Sequence, residues 1–317
     1  MNKLESTEKY LFLGLPGSGK TTSIALLLKE LQVVGNLSND YQILFCSEME
    51  KDKKGFPYYK HETSDYVEDI ISLLDQQKWP EPTERFQSCK IKYTYKDKKS
   101  GSEEINRDIE LIDCPGKAFA SAFCSGYAID DVMLEQAYKL KELIPLAKKI
   151  ILFVDANAFF NETDLRNLRQ SFEGLFEYLR YLHGDYILSK VSIVIDKYEL
   201  LDRKAPDFLP LFCTRFSNAY QLISRGKKEF DNIKTYPILS LGSIDHDDDG
   251  AVLPPQKREK VLLDNLGMAL GFDHFIGTWF LRVAEEEERA RIGNENVHSE
   301  GPFKRIMGLC KISTSLT

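Results

Sequence analysis

Four short apolar runs punctuate the chain, at residues 10–13, 43–46, 150–154 and 191–195, and the stretches between them are amphipathic. Strand-length apolar runs alternating with helical patterns predict an α/β sheet between layers of helices. Between Cys89 and Ile112 the pattern changes. KIKYTY and EINRDIELI, joined by the polar KDKKSGSE, predict an antiparallel hairpin, so the mainly parallel sheet should carry one antiparallel strand, at its edge. Helices are expected after Gly19 and over 65–77, 130–147, 163–182, 208–223 and 258–284, with Ser64 and Thr163 as N-caps. A last strand is expected over 236–241, a long loop over 242–255, and a polar tail over 285–317.

Within 163–182, Leu165, Leu168, Phe172, Leu175, Phe176 and Leu179 recur at helical spacing with Arg166, Arg169 and Arg180 off the stripe. Such a stripe is a core face; an arginine-lined phosphoryl-transfer lid would place its arginines closer together.

The 317 residues, 43% hydrophobic and 29% charged, exclude a disordered chain. Forty-two basic against 49 acidic side chains leave a net charge of −7, so no cationic field exists to coat a nucleic acid. No apolar run approaches the ~20 residues needed to cross a bilayer, and no cleavable leader follows Met1, so a cytoplasmic chain without a membrane span is expected. The six cysteines are scattered without metal-ligand spacing and are read as reduced thiols. The five histidines form no HExxH pair, no GxSxG occurs, and the acidic 245–250 segment lacks calcium-loop spacing; both it and the basic, aromatic 51–60 segment read as solvated loops.

The most informative segment is Gly14-Leu15-Pro16-Gly17-Ser18-Gly19-Lys20-Thr21, a full GxxxxGK[ST] match directly after an apolar strand and before a helix. Its glycines let backbone N–H groups fold around phosphate oxygens, Lys20 supplies a charge to the β and γ phosphates, and the Thr21 hydroxyl suits Mg²⁺. Gly14, Pro16, Gly17, Ser18, Gly19, Lys20, Thr21 and Thr22 are the candidate phosphate site, at the positive end of the following helix.

A second apolar strand ends in Asp113-Cys114-Pro115-Gly116, a DxxG in which Asp113 can hold Mg²⁺ through water and the Gly116 amide can sense a γ-phosphate. Upstream, the proline-stiffened Trp79-Pro80-Glu81-Pro82-Thr83 offers Thr83 as a switch threonine that closes on Mg²⁺ and γ-phosphate. It reads equally as an ordinary loop residue. Thr21, Thr83 and Asp113 form the candidate metal set, and Lys20, Thr83 and Gly116 the candidate catalytic set.

In this order, GLPGSGKT, WPEPT, IDCPG and a strand ending in IDKYE resemble a translation-factor-related, Ras-like P-loop GTPase, most like the GTPase domain of bacterial double-GTPase proteins. The resemblance runs over about residues 8–241 and implies a three-layer P-loop NTPase fold. The expected domain is 1–284, with insertions at about 35–80 and 242–257. It further implies GTP or GDP with Mg²⁺ as cofactors, a protein partner or effector, and base recognition by a [NT]KxD element. Here that element reads Asp196-Lys197-Tyr198-Glu199: Lys197 would pack along the guanine and Glu199 would accept from its N1 and N2 groups. Asp196 stands where an amide or hydroxyl is usual. Ser240-Leu241-Gly242 takes the place of the family's second base loop, or is only a strand end. Lys117 follows the DxxG where the family commonly has a water-orienting Gln, so slow hydrolysis is expected, assisted from elsewhere. A nucleotide-loaded module that does not hydrolyse and an ATP-dependent ATPase or kinase remain the alternatives.

Overall fold

The structure is a computed structural model that describes residues 7–37, 41–45, 63–96, 104–124, 130–183, 191–196, 234–237, 245–246 and 252–254. All of these fall in the first of the two units into which the chain divides, Met1–Leu270 and Gly271–Thr317. Among the described residues β1 (Glu8–Leu13) is followed by α1 (Lys20–Leu37), β2 (Tyr41–Phe45), α2 (Thr63–Asp75), β3 (Gln87–Lys96) and β4 (Glu104–Asp113). Then come α3 (Gly116–Phe123), α4 (Asp131–Leu143), β5 (Lys149–Asp155), α5 (Glu162–His183), β6 (Val191–Asp196), β7 (Lys234–Pro237), β8 (Asp245–His246) and β9 (Val252–Leu253). The expected helices over 208–223 and 258–284 and the tail over 285–317 lie outside the described residues.

Seven strands form one sheet in the order β2-β3-β4-β1-β5-β6-β7. β1 pairs in parallel with β4 and β5, β5 with β6, and β6 with β7, while β3 runs antiparallel to both neighbours. This is the mainly parallel, three-layer P-loop NTPase fold with one antiparallel hairpin strand. The hairpin is not at the edge, however: β2 pairs with β3 from Tyr41↔Tyr95 to Phe45↔Ile91 and covers the edge that β3 would otherwise present.

Side-chain alternation divides the sheet into two faces. Leu11, Leu13, Ile112, Ile150, Leu152, Val154, Val191, Ile193 and Ile195 share one buried cluster with Ala118 and Phe119 of α3, Leu140 and Leu143 of α4, and the whole expected stripe of α5. Phe172, Leu175 and Phe176 are fully enclosed, which makes that stripe core. Tyr10 and Phe12 turn to the opposite face, where α1 and α2 lie. α2 docks through Leu74, which packs on Leu26 of α1 together with Ile70 and Ile71.

Several local readings need correction. α5 is capped by Asn161, whose Oδ1 accepts from Thr163 N at 2.9 Å and Asp164 N at 3.2 Å, because the helix begins before Thr163. Ser64 likewise lies inside α2, and the Thr63 hydroxyl bonds across to the backbone of Lys90. The short helix α3, absent from the expected helices, starts immediately after Pro115. The expected 130–147 helix has its start as read, with Asp130 Oδ1 accepting from Met133 N at 2.7 Å, but gives way to a 3-10 turn over Ile144–Leu146 at Pro145. Within the expected 242–255 loop, β8 and β9 pair as a small antiparallel ribbon.

Among the described cysteines, Cys89, Cys114 and Cys124 are free and buried, as expected of reduced thiols.

At the start of β1, Glu8 pairs with Arg107 and Lys148, and Lys9 pairs with Glu110, which also accepts from Ser88 Oγ at 2.6 Å. Burial raises both glutamates, but these partners outweigh it and hold both below the ordinary carboxylate range. Their stabilisation is therefore present above the ordinary glutamate pKa and lost as pH falls through the lowered native values. Thermal midpoints should drop on acidification below about pH 4.5, and the drop should be shallower in Glu110→Gln. An identical pH profile in the variant would remove Glu110 from this account.

Candidate functional site

Placing β1 between β4 and β5 brings the ends of three strands together at one edge of the sheet. Phe12 pairs with Asp113 and Asp155 with Asp196, and this register puts Asp113 and Asp196 on the same face as Phe12, the α1 side. The loop leaving β1 turns over that edge and enters α1 at Lys20. Carboxylates thus flank a glycine loop, an arrangement that no single segment of the sequence contains.

In the loop, Pro16 and Gly17 are exposed at its crown, whereas Ser18, Lys20 and Thr22 are buried. Lys20 Nζ donates to Gly14 O at 3.0 Å, Leu15 O at 3.2 Å and Ser18 Oγ at 3.2 Å, so the ammonium is folded back inside its own loop. Burial lowers its pKa, and Asp113 and Cys114 oppose that shift through charge. A cation in this position is short of negative charge, and an incoming anion would supply it.

Gly19 has φ +81°, and a Cβ there would overlap the Asp196 carboxylate. Asp196, 1% exposed at the end of β6, therefore packs directly on the loop. By its motif it opens the expected base-recognition element. Lys197, Glu199 and Ser240 lie outside the described residues.

Gly116 is buried for a similar reason: a Cβ on it would collide with the backbone of Leu15 and Pro16. The DxxG glycine thus touches the glycine loop itself. Lys117, the next residue, is exposed on α3.

Three hydroxyls converge on Asp113. Thr21 Oγ1 donates to Asp113 Oδ2 at 2.6 Å, Thr83 Oγ1 lies 3.2 Å from the same oxygen, and the two threonine hydroxyls are 2.7 Å apart. The third, the Tyr66 phenol from the first turns of α2, is 3.3 Å from Thr21 O and 3.5 Å from Asp113 Oδ2. Asp113 Oδ1 is buried with no hydrogen-bond partner among the described residues. Burial pushes the Asp113 carboxyl above its ordinary value, against the opposing pull of Lys20, Thr21, Thr83 and Tyr66. An orphaned buried oxygen beside two hydroxyls is a hard, all-oxygen donor set of the kind that suits Mg²⁺.

The structure therefore brings together Lys20, Thr21, Thr83, Asp113 and Gly116, drawn from the start of α1, the loop before β3, the end of β4 and the start of α3. Tyr66 was not singled out from the sequence. It falls on the 66, 67, 70, 71, 74 stripe of α2, and that spacing reads as core.

No protein-family model and no curated protein sequence matches the chain. Similar solved structures include Toc33 from Arabidopsis thaliana in complex with Mg²⁺ and GMPPNP, at 13% identity over 84% of this chain and 85% of that chain, with a TM-score of 0.38. The S. cerevisiae Ski7 GTPase-like domain bound to GTP is 14% identical over 84% of this chain and 50% of that chain, with a TM-score of 0.44. The mammalian SRP receptor is 14% identical over 74% of this chain and 92% of that chain, with a TM-score of 0.36. At this distance function has to be read from the side chains of this chain alone.

Proposed function

We propose that the chain is a guanine-nucleotide-binding P-loop protein that acts as a Mg²⁺-dependent switch and hydrolyses GTP slowly. The observation that carries this reading is the convergence of Thr21, Thr83 and Asp113, because a loop threonine 62 residues from Thr21 reaches the same carboxylate as the phosphate-loop threonine. In this reading residues 14–22 cradle the phosphates, and Lys20 turns from its own loop carbonyls to the β and γ phosphates. Thr21, Thr83 and Asp113 hold Mg²⁺, which when bound offsets phosphate charge. The Gly116 amide faces the γ-phosphate, so that diphosphate and triphosphate differ in how they hold Thr83 and Gly116. Lys197 and Glu199 recognise guanine, and Asp196 braces the loop.

The motif order supports a place among Ras-like GTPases near the bacterial double-GTPase domains; one domain over 1–284 and a cytoplasmic location are part of the same proposal. Among the described residues no helix is long and apolar enough to cross a membrane. Exposed Lys117 offers no carboxamide to orient water, so hydrolysis depends on another group, such as a partner's arginine. The same lysine favours a second reading, a nucleotide-loaded module that does not hydrolyse. A measurable rate that disappears in Lys20→Ala would sink it.

Calorimetry with GTP, GDP and ATP analogues plus Mg²⁺ tests the first reading. Selective binding of guanine nucleotides that collapses in Glu199→Ala is expected, and a preference for ATP would overturn it. Thr83→Ala should weaken a GTP analogue about tenfold, the worth of one hydrogen bond to a charged group, while GDP affinity stays within about twofold. Equal losses for both nucleotides would mean that Thr83 does not distinguish them.

A further inference from the structure

We infer that Tyr66 is a positioning residue for the metal site: its phenol holds Asp113 and the Thr21 backbone from α2 and leaves Asp113 Oδ1 as the free oxygen of the carboxylate. The inference rests on the nucleotide reading above and extends it to the inserted segment before β3.

The placement of the phenol is over-determined. Thr63, one turn earlier, donates to Lys90 O at 3.3 Å and accepts from Lys90 N at 2.9 Å, which ties the start of α2 to β3. Leu74 at the other end packs on Leu26 of α1. Between these two anchors Tyr66 is 4% exposed, and its hydroxyl has two described partners, Thr21 O at 3.3 Å and Asp113 Oδ2 at 3.5 Å. Its single proton is shared between these two acceptors, nearer to Thr21 O, and both acceptors belong to the proposed metal site. The Thr21 carbonyl can only accept, so Tyr66 is the donor.

The consequence is a division of labour on one carboxylate. Thr21, Thr83 and Tyr66 all lie on the Oδ2 side, and Oδ1 has no described partner. Thr21 and Thr83 are the hydroxyls whose oxygens would turn to the cation. Tyr66 reaches Asp113 from α2, apart from the segment that carries Thr83, so its contact with the carboxylate does not run through Thr83. The same helix leads directly into the 76–86 segment that carries Thr83. The 63–86 stretch is thereby attached to the proposed metal site at two points, Tyr66 and Thr83.

The test is Tyr66→Phe, which keeps the ring in its socket and removes the hydroxyl, read by dissociation of a fluorescent GDP analogue as Mg²⁺ is titrated. Removing an outer hydrogen-bond partner of a metal-site carboxylate should raise the Mg²⁺ needed for half-maximal retention about tenfold, with the Mg²⁺-free dissociation rate unchanged. A merely structural tyrosine would change both rates together or neither, and either result overturns the inference. Wild-type protein that binds the analogue without any Mg²⁺ dependence removes the metal site, and no binding at all removes the nucleotide reading beneath it. If the Phe variant does not fold, 3-fluorotyrosine placed at 66 in the otherwise native chain gives a ¹⁹F resonance. That resonance should shift when Mg²⁺ joins the GDP complex, and a resonance blind to Mg²⁺ refutes the contact.

Discussion

Replacing Lys20 with alanine should cost nucleotide affinity about a hundredfold or more, the sum expected from charge-assisted bonds to two phosphates, with little change in the stability of the unliganded protein. The two halves of this expectation come from one observation. Without nucleotide the ammonium is buried, holds three oxygens of its own loop, and has its pKa lowered by that burial. Removing it loses those contacts but also removes a desolvated cation, and the terms oppose each other. With nucleotide present nothing replaces the lost charge. At a ligand concentration one hundred times the wild-type Kd, bound ligand should stabilise wild type by about 2.7 kcal/mol and the variant by about 0.4 kcal/mol. Thermal melts with and without GDP and Mg²⁺ check both halves. A ligand-induced shift of wild-type size in the variant would mean that the loop does not use Lys20 for phosphate.

Gly19→Ala should destabilise the fold itself, before any ligand is added. Two penalties coincide at this position: a φ of +81°, costly for any residue with a Cβ, and overlap of that Cβ with the buried Asp196 carboxylate. Together they amount to about 2 to 5 kcal/mol, read from urea unfolding of the unliganded chain. Pairing the change with Asp196→Ser separates the two. The smaller side chain relieves the overlap but not the torsion, so the double variant should recover at least about 1 kcal/mol relative to the sum of the single changes. Strict additivity would show that the loop moves aside and that Asp196 does not brace it.

These two residues also mark how far the linear pattern could be read. Lys20, Thr21 and the glycines of the loop stand next to one another in sequence, and the chemistry of a strand, a glycine turn and a helix start is local enough to name without coordinates. The apolar runs located β1, β2, β5 and β6, and the change of pattern after Cys89 located the antiparallel pair, because hydrophobic periodicity reports which faces are buried. Pattern could not say that β2 would cover β3, since strand order is a choice among partners far apart in sequence. It also could not distinguish Tyr66 from its neighbours on the α2 stripe. A phenol on an apolar face looks the same whether its hydroxyl meets a helix carbonyl or a buried carboxylate such as Asp113.

Asp196 shows the same limit from the other direction. Its place after an apolar strand was legible, but its contact with Gly19 was not, because the two are brought together only when β6 pairs beyond β5. The sequence by itself determined the glycine-loop motif, written in adjacent residues, and the α/β class, written in the alternation of apolar runs, while Thr83 read equally as a switch or an ordinary loop residue. Only the tertiary structure decided that Thr21, Tyr66, Thr83 and Asp113 meet, and that Asp196 and Gly116 clamp the loop. Contacts across tens of residues follow from strand order and helix docking, which many sequences with the same local pattern could satisfy differently.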